Sequence, residues 1–126
     1  MEKQIVSTEN APKAIGPYSQ GIALENLVFT SGQLPINPAT GELINDDVKA
    51  ATRQVIKNVD GVLTAAGSSL DKIVKATVLL KDMGDFAAMN EVYAEFFGKN
   101  PPARTCFQAA KLPMDVLVEI EAIALR

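Results

Sequence analysis

Few side chains in this sequence can do acid–base chemistry, because its 126 residues include no histidine and one cysteine. Histidine is the commonest general base and the commonest ligand of transition metals, so its absence argues against a metal site. It also excludes a Ser-His or Cys-His nucleophile. Any catalysis must therefore come from carboxylates, arginine, tyrosine, lysine, hydroxyls or backbone groups.

Three charged residues lie in strand-like segments late in the sequence. The guanidinium of Arg104 can bind a carboxylate through two parallel hydrogen bonds. An isolated arginine, however, is more often a partner in a surface ion pair. Glu119 and Glu121 alternate with apolar residues and so share one strand face. Apolar neighbours can raise the pKa of Glu119 towards neutrality, whereas a solvated carboxylate at a sheet edge is the plainer interpretation.

Five uncharged residues are weaker candidates for a site. Tyr18 follows Gly-Pro in a loop, where its hydroxyl can close a pocket or simply pack on the surface. Ser31 and Gly32 follow a predicted strand, and the glycine permits close approach of a ligand, with ordinary turn chemistry as the alternative. Asn90 lies in the apolar stripe of a predicted helix, so it needs a hydrogen-bond partner. Cys106 shares a strand face with Arg104 and is interpreted as a buried thiol, not a nucleophile.

Hydrophobic periodicity predicts the elements that must position these groups. Apolar residues recur every three or four positions over 46–66 and 85–97, which indicates two helices. Asn45, Asp46 and Asp47 offer N-caps for the first helix, and Asp85 offers one for the second. Strand-like runs occupy residues 4–7, 21–24, 27–31, 73–81, 104–109 and 117–125.

This order of elements predicts an α+β fold, with a single mixed sheet and two helices on one face. The chain is 48% hydrophobic and 21% charged, which is typical of a globular protein. Its length fits a single domain over residues 1–126.

The last predicted strand suggests that one sheet face meets a partner. A solvated antiparallel face should be polar, yet here one face combines large apolar side chains with two carboxylates. We therefore expect an oligomer with a carboxylate near its interface. The residues on that face are Leu117, Glu119, Glu121, Ile123 and Leu125, and those on the core face are Val118, Ile120, Ala122 and Ala124.

The composition limits which binding partners and which cellular compartment we expect. The net charge is −3 and the lysines are scattered, so the sequence disfavours nucleic-acid binding. No apolar run approaches the length of a membrane helix. Residues 1–4 open with an acid and precede no apolar stretch, which is not the pattern of a signal peptide. A single unpaired thiol fits a reducing compartment, so we expect a cytoplasmic protein.

Several segments, in order from about residue 10 onwards, together resemble the RidA (YjgF) family. No single segment is specific, but their combined order and spacing are. They are AIGPYSQ at 14–20, TSGQ at 30–33, AAG at 65–67, IVK at 73–75, PARTC at 102–106 and EIEAIA at 119–124.

The resemblance implies a fold similar to that of trimeric chorismate mutase: a homotrimer with a barrel-like centre and three clefts between subunits. It implies an enamine/imine deaminase that hydrolyses 2-iminopropanoate and 2-iminobutanoate to 2-keto acids and ammonia. The implied reaction requires no metal, cofactor or covalent nucleophile.

The resemblance also implies roles for the candidate residues. Arg104 would bind the substrate carboxylate, and Glu119 would orient or activate water, with Glu121 as the fallback. The remaining cleft residues it implies are Tyr18, Ser31, Gly32, Asn90 and Cys106, the last through its backbone carbonyl.

Two other functions stay open at this point. One is a non-catalytic ligand-binding or chaperone-like trimer, against which Arg104 and Glu119 argue. The other is an RNA-acting translation inhibitor, as some family members have been described. The acidic balance and missing histidine argue against it.

Overall fold

The computed structural model describes residues 1–126 as six strands and two α-helices. Each element lies within two residues of the position that hydrophobic periodicity predicts. The elements are β1 (Gln4–Val6), β2 (Gly21–Leu24), β3 (Leu27–Thr30), α1 (Val48–Ala65), β4 (Ile73–Leu80), α2 (Phe86–Phe97), β5 (Ala103–Gln108) and β6 (Val118–Leu125).

The strands form one mixed sheet in the order β1-β2-β3-β6-β4-β5. All neighbours are antiparallel except β4 and β5, which are parallel and are joined through α2. The last strand in sequence, β6, therefore lies inside the sheet, whereas β5 lies at its edge. The predicted α+β fold with a single mixed sheet is confirmed.

Both helices contribute to one core against one face of the sheet. The core face of β6 is the predicted one, because Val118, Ile120, Ala122 and Ala124 are all buried. The apolar stripe of α1 belongs to the same core, and Val55, Val59 and Val62 are among its buried residues. Neither helix is long and apolar enough to cross a membrane.

The two helices begin differently. Asp47 caps α1, since its side chain accepts a hydrogen bond from the backbone N–H of Ala50 at 3.0 Å. The predicted cap of α2 is wrong, because Asp85 makes no capping hydrogen bond. Asp85 follows a 3₁₀ turn and has φ −88° and ψ 1°, not the extended backbone that aims a cap side chain at the first turn. Asp82 instead accepts from the N–H of Gly84 at 2.7 Å within that turn.

The face of the sheet away from the helices is uncovered. Phe107 and Leu125 are about half exposed there, at 49% and 46%, and Ile123 is half-buried. Leu117 differs from the expectation, since it precedes β6 and packs against the core cluster. The face still combines large apolar side chains with Glu119 and Glu121, as the alternation predicts.

Candidate active site

The edge strand β5 places Arg104 over helix α2. Arg104 pairs in register with the buried Ala76 of β4, so its half-buried side chain lies on the helix side of the sheet. Its Nη1 donates a hydrogen bond to Oδ1 of Asn90 at 2.8 Å. The polar residue in the apolar stripe of α2 thus finds its partner in the main candidate for substrate binding.

Two aromatic rings complete this setting. The Cζ atom of Arg104 lies 4.7 Å from the ring centroid of Tyr93 and 5.6 Å from that of Phe86. Both distances are within the range of cation–π attraction. Phe86, Asn90 and Tyr93 are spaced four and three residues apart, so one face of α2 supplies all three contacts.

Arg104 belongs to none of the ion pairs in the chain, which are Lys49–Glu91, Arg53–Glu95 and Lys81–Asp115. Its hydrogen bond to Asn90 is the one side-chain hydrogen bond it makes. A guanidinium has five N–H donors, so most of those of Arg104 are free. A half-buried, unpaired guanidinium of this kind can take a carboxylate in two parallel hydrogen bonds.

Cys106 lies two residues further along β5, on the same side as Arg104, as predicted. Burial raises the pKa of its thiol, and the positive charge of Arg104 opposes that rise only in part. The thiol is therefore held in its neutral form at neutral pH, which does not favour a nucleophile.

A second group of candidates surrounds Glu119 on the uncovered side of the sheet. A Cβ added to Gly32 would collide with Oε2 of Glu119 and lie 2.8 Å from its Cδ, so only glycine leaves the carboxylate its place. The neighbouring Gln33 pairs with Ile120, its N–H donating to the carbonyl oxygen at 2.8 Å. Burial raises the pKa of Glu119, and the nearby charge of Glu121 raises it further.

Ser31 links this group to the loop that carries Tyr18. The hydroxyl of Ser31 donates to the carbonyl of Ser19, and its N–H donates to that of Gln20 at 2.9 Å. The Tyr18 hydroxyl accepts from the N–H of Ile15 at 3.1 Å, and the side chain is 48% exposed. The predicted residues Tyr18, Ser31, Gly32 and Glu119 thus belong to one region.

The seven candidates therefore form two clusters, which one chain does not bring together. We call Arg104, Asn90 and Cys106 the arginine cluster, and Tyr18, Ser31, Gly32 and Glu119 the glutamate cluster. Arg104 is level with Ala76 of β4 and Glu119 with Leu79, on opposite faces of the sheet and two strands apart. At ordinary strand spacing and rise, their Cα atoms lie about 14 Å apart.

Sequence reasoning assigned no role to several residues that shape these clusters. Tyr93 and Phe86 are predicted only as members of an apolar stripe, although their register with Asn90 was a usable signal. Asn58 of α1 was missed: its Nδ2 donates to the carbonyls of Leu34 and Ile36, both at 2.8 Å. The sequence does show Asn58 as a polar residue beside an apolar stripe. It does not show the partner, because the loop that Asn58 binds is distant in the sequence.

A family model described as endoribonuclease L-PSP matches residues 8–126. The chain belongs to the RidA (YjgF) family. The resemblance carried by the six sequence segments is thereby confirmed.

An archaeal relative, a bacterial relative and a solved structure match this chain over nearly their whole length. A RutC family protein of Pyrococcus horikoshii is 57% identical over 122 residues, which are 97% of each chain. The 2-iminobutanoate/2-iminopropanoate deaminase of Escherichia coli K12 is 52% identical over 124 residues, 96% of each chain. The crystal structure of Escherichia coli TdcF with bound serine superposes with a TM-score of 0.93 at 49% identity, covering 98% of each chain.

Proposed function

We propose that this RidA family protein hydrolyses small 2-imino acids, such as 2-iminopropanoate and 2-iminobutanoate, to 2-keto acids and ammonia in the cytoplasm. The observation that carries the proposal is the unpaired guanidinium of Arg104, held by Asn90 and two aromatic rings. A 2-imino acid presents a carboxylate next to its reactive carbon, so one bidentate contact fixes the reacting group. The named activity of the Escherichia coli relative supports the same chemistry.

The reaction adds water to a C=N bond. The water oxygen bonds to the imine carbon, and the nitrogen gains a proton, which gives a carbinolamine. Loss of ammonia from that carbon then leaves the C=O bond of a 2-keto acid. Glu119 in its ionised form would orient the water, accept its proton as the oxygen bonds to carbon, and pass that proton to the imine nitrogen. It would then accept the proton of the carbinolamine hydroxyl and donate it to the departing nitrogen, so that ammonia leaves and the carboxylate is regenerated. These groups complete the cycle without a metal, cofactor or covalent intermediate.

The reactive site would lie between subunits of a homotrimer. The two clusters are too far apart, and on opposite faces, to hold one small substrate within a chain. In an assembly, the arginine cluster at the edge of one sheet can meet the glutamate cluster on the uncovered face of another. The exposed Phe107 and Leu125 on that face support such contact between copies.

Turnover of imines made in situ tests the activity. An amino-acid oxidase or a dehydratase would supply 2-iminopropanoate or 2-iminobutanoate, and the decay of the imine would be followed. We expect the wild type to accelerate decay and Arg104→Ala to lose on the order of 100-fold or more in kcat/KM, because charge-assisted hydrogen bonds to the carboxylate are removed.

Arg53→Ala is the matched control, since Arg53 forms an exposed ion pair with Glu95 at 2.9 Å. It should keep wild-type turnover. Acceleration that survives in Arg104→Ala would discard the proposed carboxylate site. No acceleration by the folded wild type, with either imino acid, would overturn the deaminase proposal and favour a binding function instead.

A further inference from the structure

Tyr93 combines two properties that are unusual for a core residue. Its side chain is 6% exposed, and its hydroxyl is buried without any hydrogen-bond partner. Buried polar groups are normally paired, so hydrogen bonding by the hydroxyl does not account for the position of this side chain. Its ring, however, faces a cation, because the Cζ atom of Arg104 lies 4.7 Å from the ring centroid.

Few other contacts orient Arg104, and the second ring near it, that of Phe86, lies farther from its Cζ, at 5.6 Å. Asn90 holds one nitrogen, and no carboxylate of the chain holds any other. A single hydrogen bond leaves the plane of the guanidinium free to rotate about it. The face of an aromatic ring restricts that plane, because the cation is attracted to the ring as a whole.

We propose that Tyr93 is a positioning residue for substrate binding, and that its ring holds the guanidinium of Arg104 in the orientation that accepts a carboxylate. This inference rests on the proposed function and adds to it a residue outside both clusters. Tyr93 acts through Arg104 and does not touch the substrate itself.

The ring carries this role, and the hydroxyl does not. The hydroxyl oxygen is closed off from solvent, so a substrate cannot reach it. Burial raises the pKa of Tyr93 and keeps the phenol neutral, although the charge of Arg104 partly opposes the rise. Removal of the oxygen therefore leaves the contact with the guanidinium unchanged.

The packing of the Tyr93 ring allows its proposed positioning role to be tested apart from its contribution to the core. Tyr93 also contacts Phe97, with ring centroids 4.5 Å apart. Phe97 is as buried as Tyr93, at 7% exposed, and lies one turn further along α2. It does not lie against the guanidinium, so Phe97→Leu removes a comparable core ring without removing the cation contact.

Affinity for 2-oxobutanoate tests the inference without relying on turnover. This 2-keto acid carries the carboxylate but cannot be deaminated, and its dissociation constant is measured by calorimetry. We expect Tyr93→Leu to weaken binding about 2- to 30-fold, the range that a cation–π contact supports. Tyr93→Phe and Phe97→Leu should bind as the wild type does, even though Phe97→Leu unfolds at a lower temperature.

NMR of the Arg104 Nε–H group supplies a second readout. A guanidinium over a ring face should show a ring-current shift to low frequency in the wild type and in Tyr93→Phe. Tyr93→Leu should lose most of that shift, because the ring that remains, Phe86, lies farther away at 5.6 Å. If Tyr93→Leu does not fold, Tyr93→Met replaces it, because a flexible side chain fills the space of the ring without its π-face.

The outcomes are distinct from those of the proposed function. The inference is overturned if Tyr93→Leu keeps both the affinity for 2-oxobutanoate and the ring-current shift of Arg104. It is equally overturned if Tyr93→Phe loses as much affinity as Tyr93→Leu. It is also overturned if the wild type does not bind 2-oxobutanoate. If the wild type binds 2-oxobutanoate through a ring-oriented Arg104 but never turns over imines, the inference stands and only the proposed deaminase activity is contradicted.

Discussion

At the scale of single residues, surroundings decide what a charged side chain can do. Arg53 and Arg104 have the same guanidinium. Arg53 is exposed and paired with Glu95, so its charge is satisfied and its contribution is small. Arg104 is half-buried, lies over two rings and has no carboxylate partner. This difference in environment is the reason why we propose Arg104, and not Arg53, as the anion site.

The pKa of Glu119 predicts a specific pH dependence. Burial raises it first, and the charge of Glu121 adds to the rise. If the ionised form orients water, the rate falls as pH drops through this raised pKa. Glu121→Gln removes the second cause and lowers the pKa, so the acid limb of kcat/KM should move to lower pH.

A pH–rate profile of the two variants checks this. Glu119→Gln should have no such limb and little activity at any pH. An acid limb that stays in place in Glu121→Gln, or moves to higher pH, would contradict the assignment of Glu119 as the titrating base.

Gly32→Ala should reduce activity far more than stability. The added methyl group displaces the end of the flexible Glu119 side chain, not backbone, so the fold accommodates it. We expect a change in unfolding free energy within about 1 kcal/mol. A catalytic group moved by about 1 Å can cost roughly 100-fold, so kcat should fall about 10- to 100-fold.

Gly84→Ala is the control for this prediction. Its Cβ would lie 3.0 Å from Oδ1 of Asp82, another flexible carboxylate, outside both clusters. Turnover and thermal unfolding are measured for both variants. Equal kcat values in the two would show that the position of the Glu119 carboxylate does not matter.

At the scale of elements, each helix supports one cluster. Helix α2 supplies Phe86, Asn90 and Tyr93 to Arg104. Helix α1 supplies Asn58, whose buried amide holds the loop that follows Gly32 through the carbonyls of Leu34 and Ile36. The loop beside Glu119 is therefore anchored from the core of the protein.

Asn58→Leu should loosen this loop and lower activity as well as stability. Two carbonyls lose their donor at a buried position, so we expect a loss of about 2 kcal/mol or more in unfolding free energy. The kcat should fall as Gly32 and Glu119 lose their fixed relation. Denaturant unfolding and turnover measure the two effects.

Thr52→Val separates stability from positioning. Thr52 is equally buried on α1, but its hydroxyl donates only to Val48, within the same helix, at 2.6 Å. It should cost about 1 kcal/mol and leave kcat unchanged. If Asn58→Leu behaves like Thr52→Val, the amide stabilises the fold without positioning the site.

At the scale of the whole molecule, the separation of the two clusters makes an oligomer testable by function. Arg104→Ala and Glu119→Gln each disable one cluster. When they are co-expressed, some sites combine the intact Arg104 of one chain with the intact Glu119 of another. In a random population of trimers with sites between symmetric copies, before any selection, about a quarter of the sites should be intact.

Activity of the purified mixed assembly, selected through two different tags, checks this. The control mixes Arg104→Ala with the double variant Arg104→Ala/Glu119→Gln, in which no chain has an intact Arg104. Selection removes the trimers of a single variant, and a trimer that contains both variants has one intact site in three. Recovery of about a third of wild-type turnover in the first mixture alone therefore supports sites between copies. No recovery there would place both clusters in one chain's site and contradict the proposed arrangement.

The sequence by itself determined the elements and much of their local chemistry. The periodicity of two residues in strands and 3.6 in helices predicts which side chains share a face. It therefore predicts the core face of β6, the common side of Arg104 and Cys106, and the need of Asn90 for a partner. These properties depend only on neighbours along the chain.

Only the tertiary structure decided how the elements combine. The faces and levels of Arg104 and Glu119 depend on how β5 and β6 each pair with β4, and strand register is a non-local property that periodicity does not contain. Asp85 makes no capping hydrogen bond because a 3₁₀ turn precedes it. The contact between Tyr93 and Arg104 depends on how α2 packs over β5. The separation of one predicted site into two clusters follows from this pairing, because alternate residues of a strand point to opposite faces.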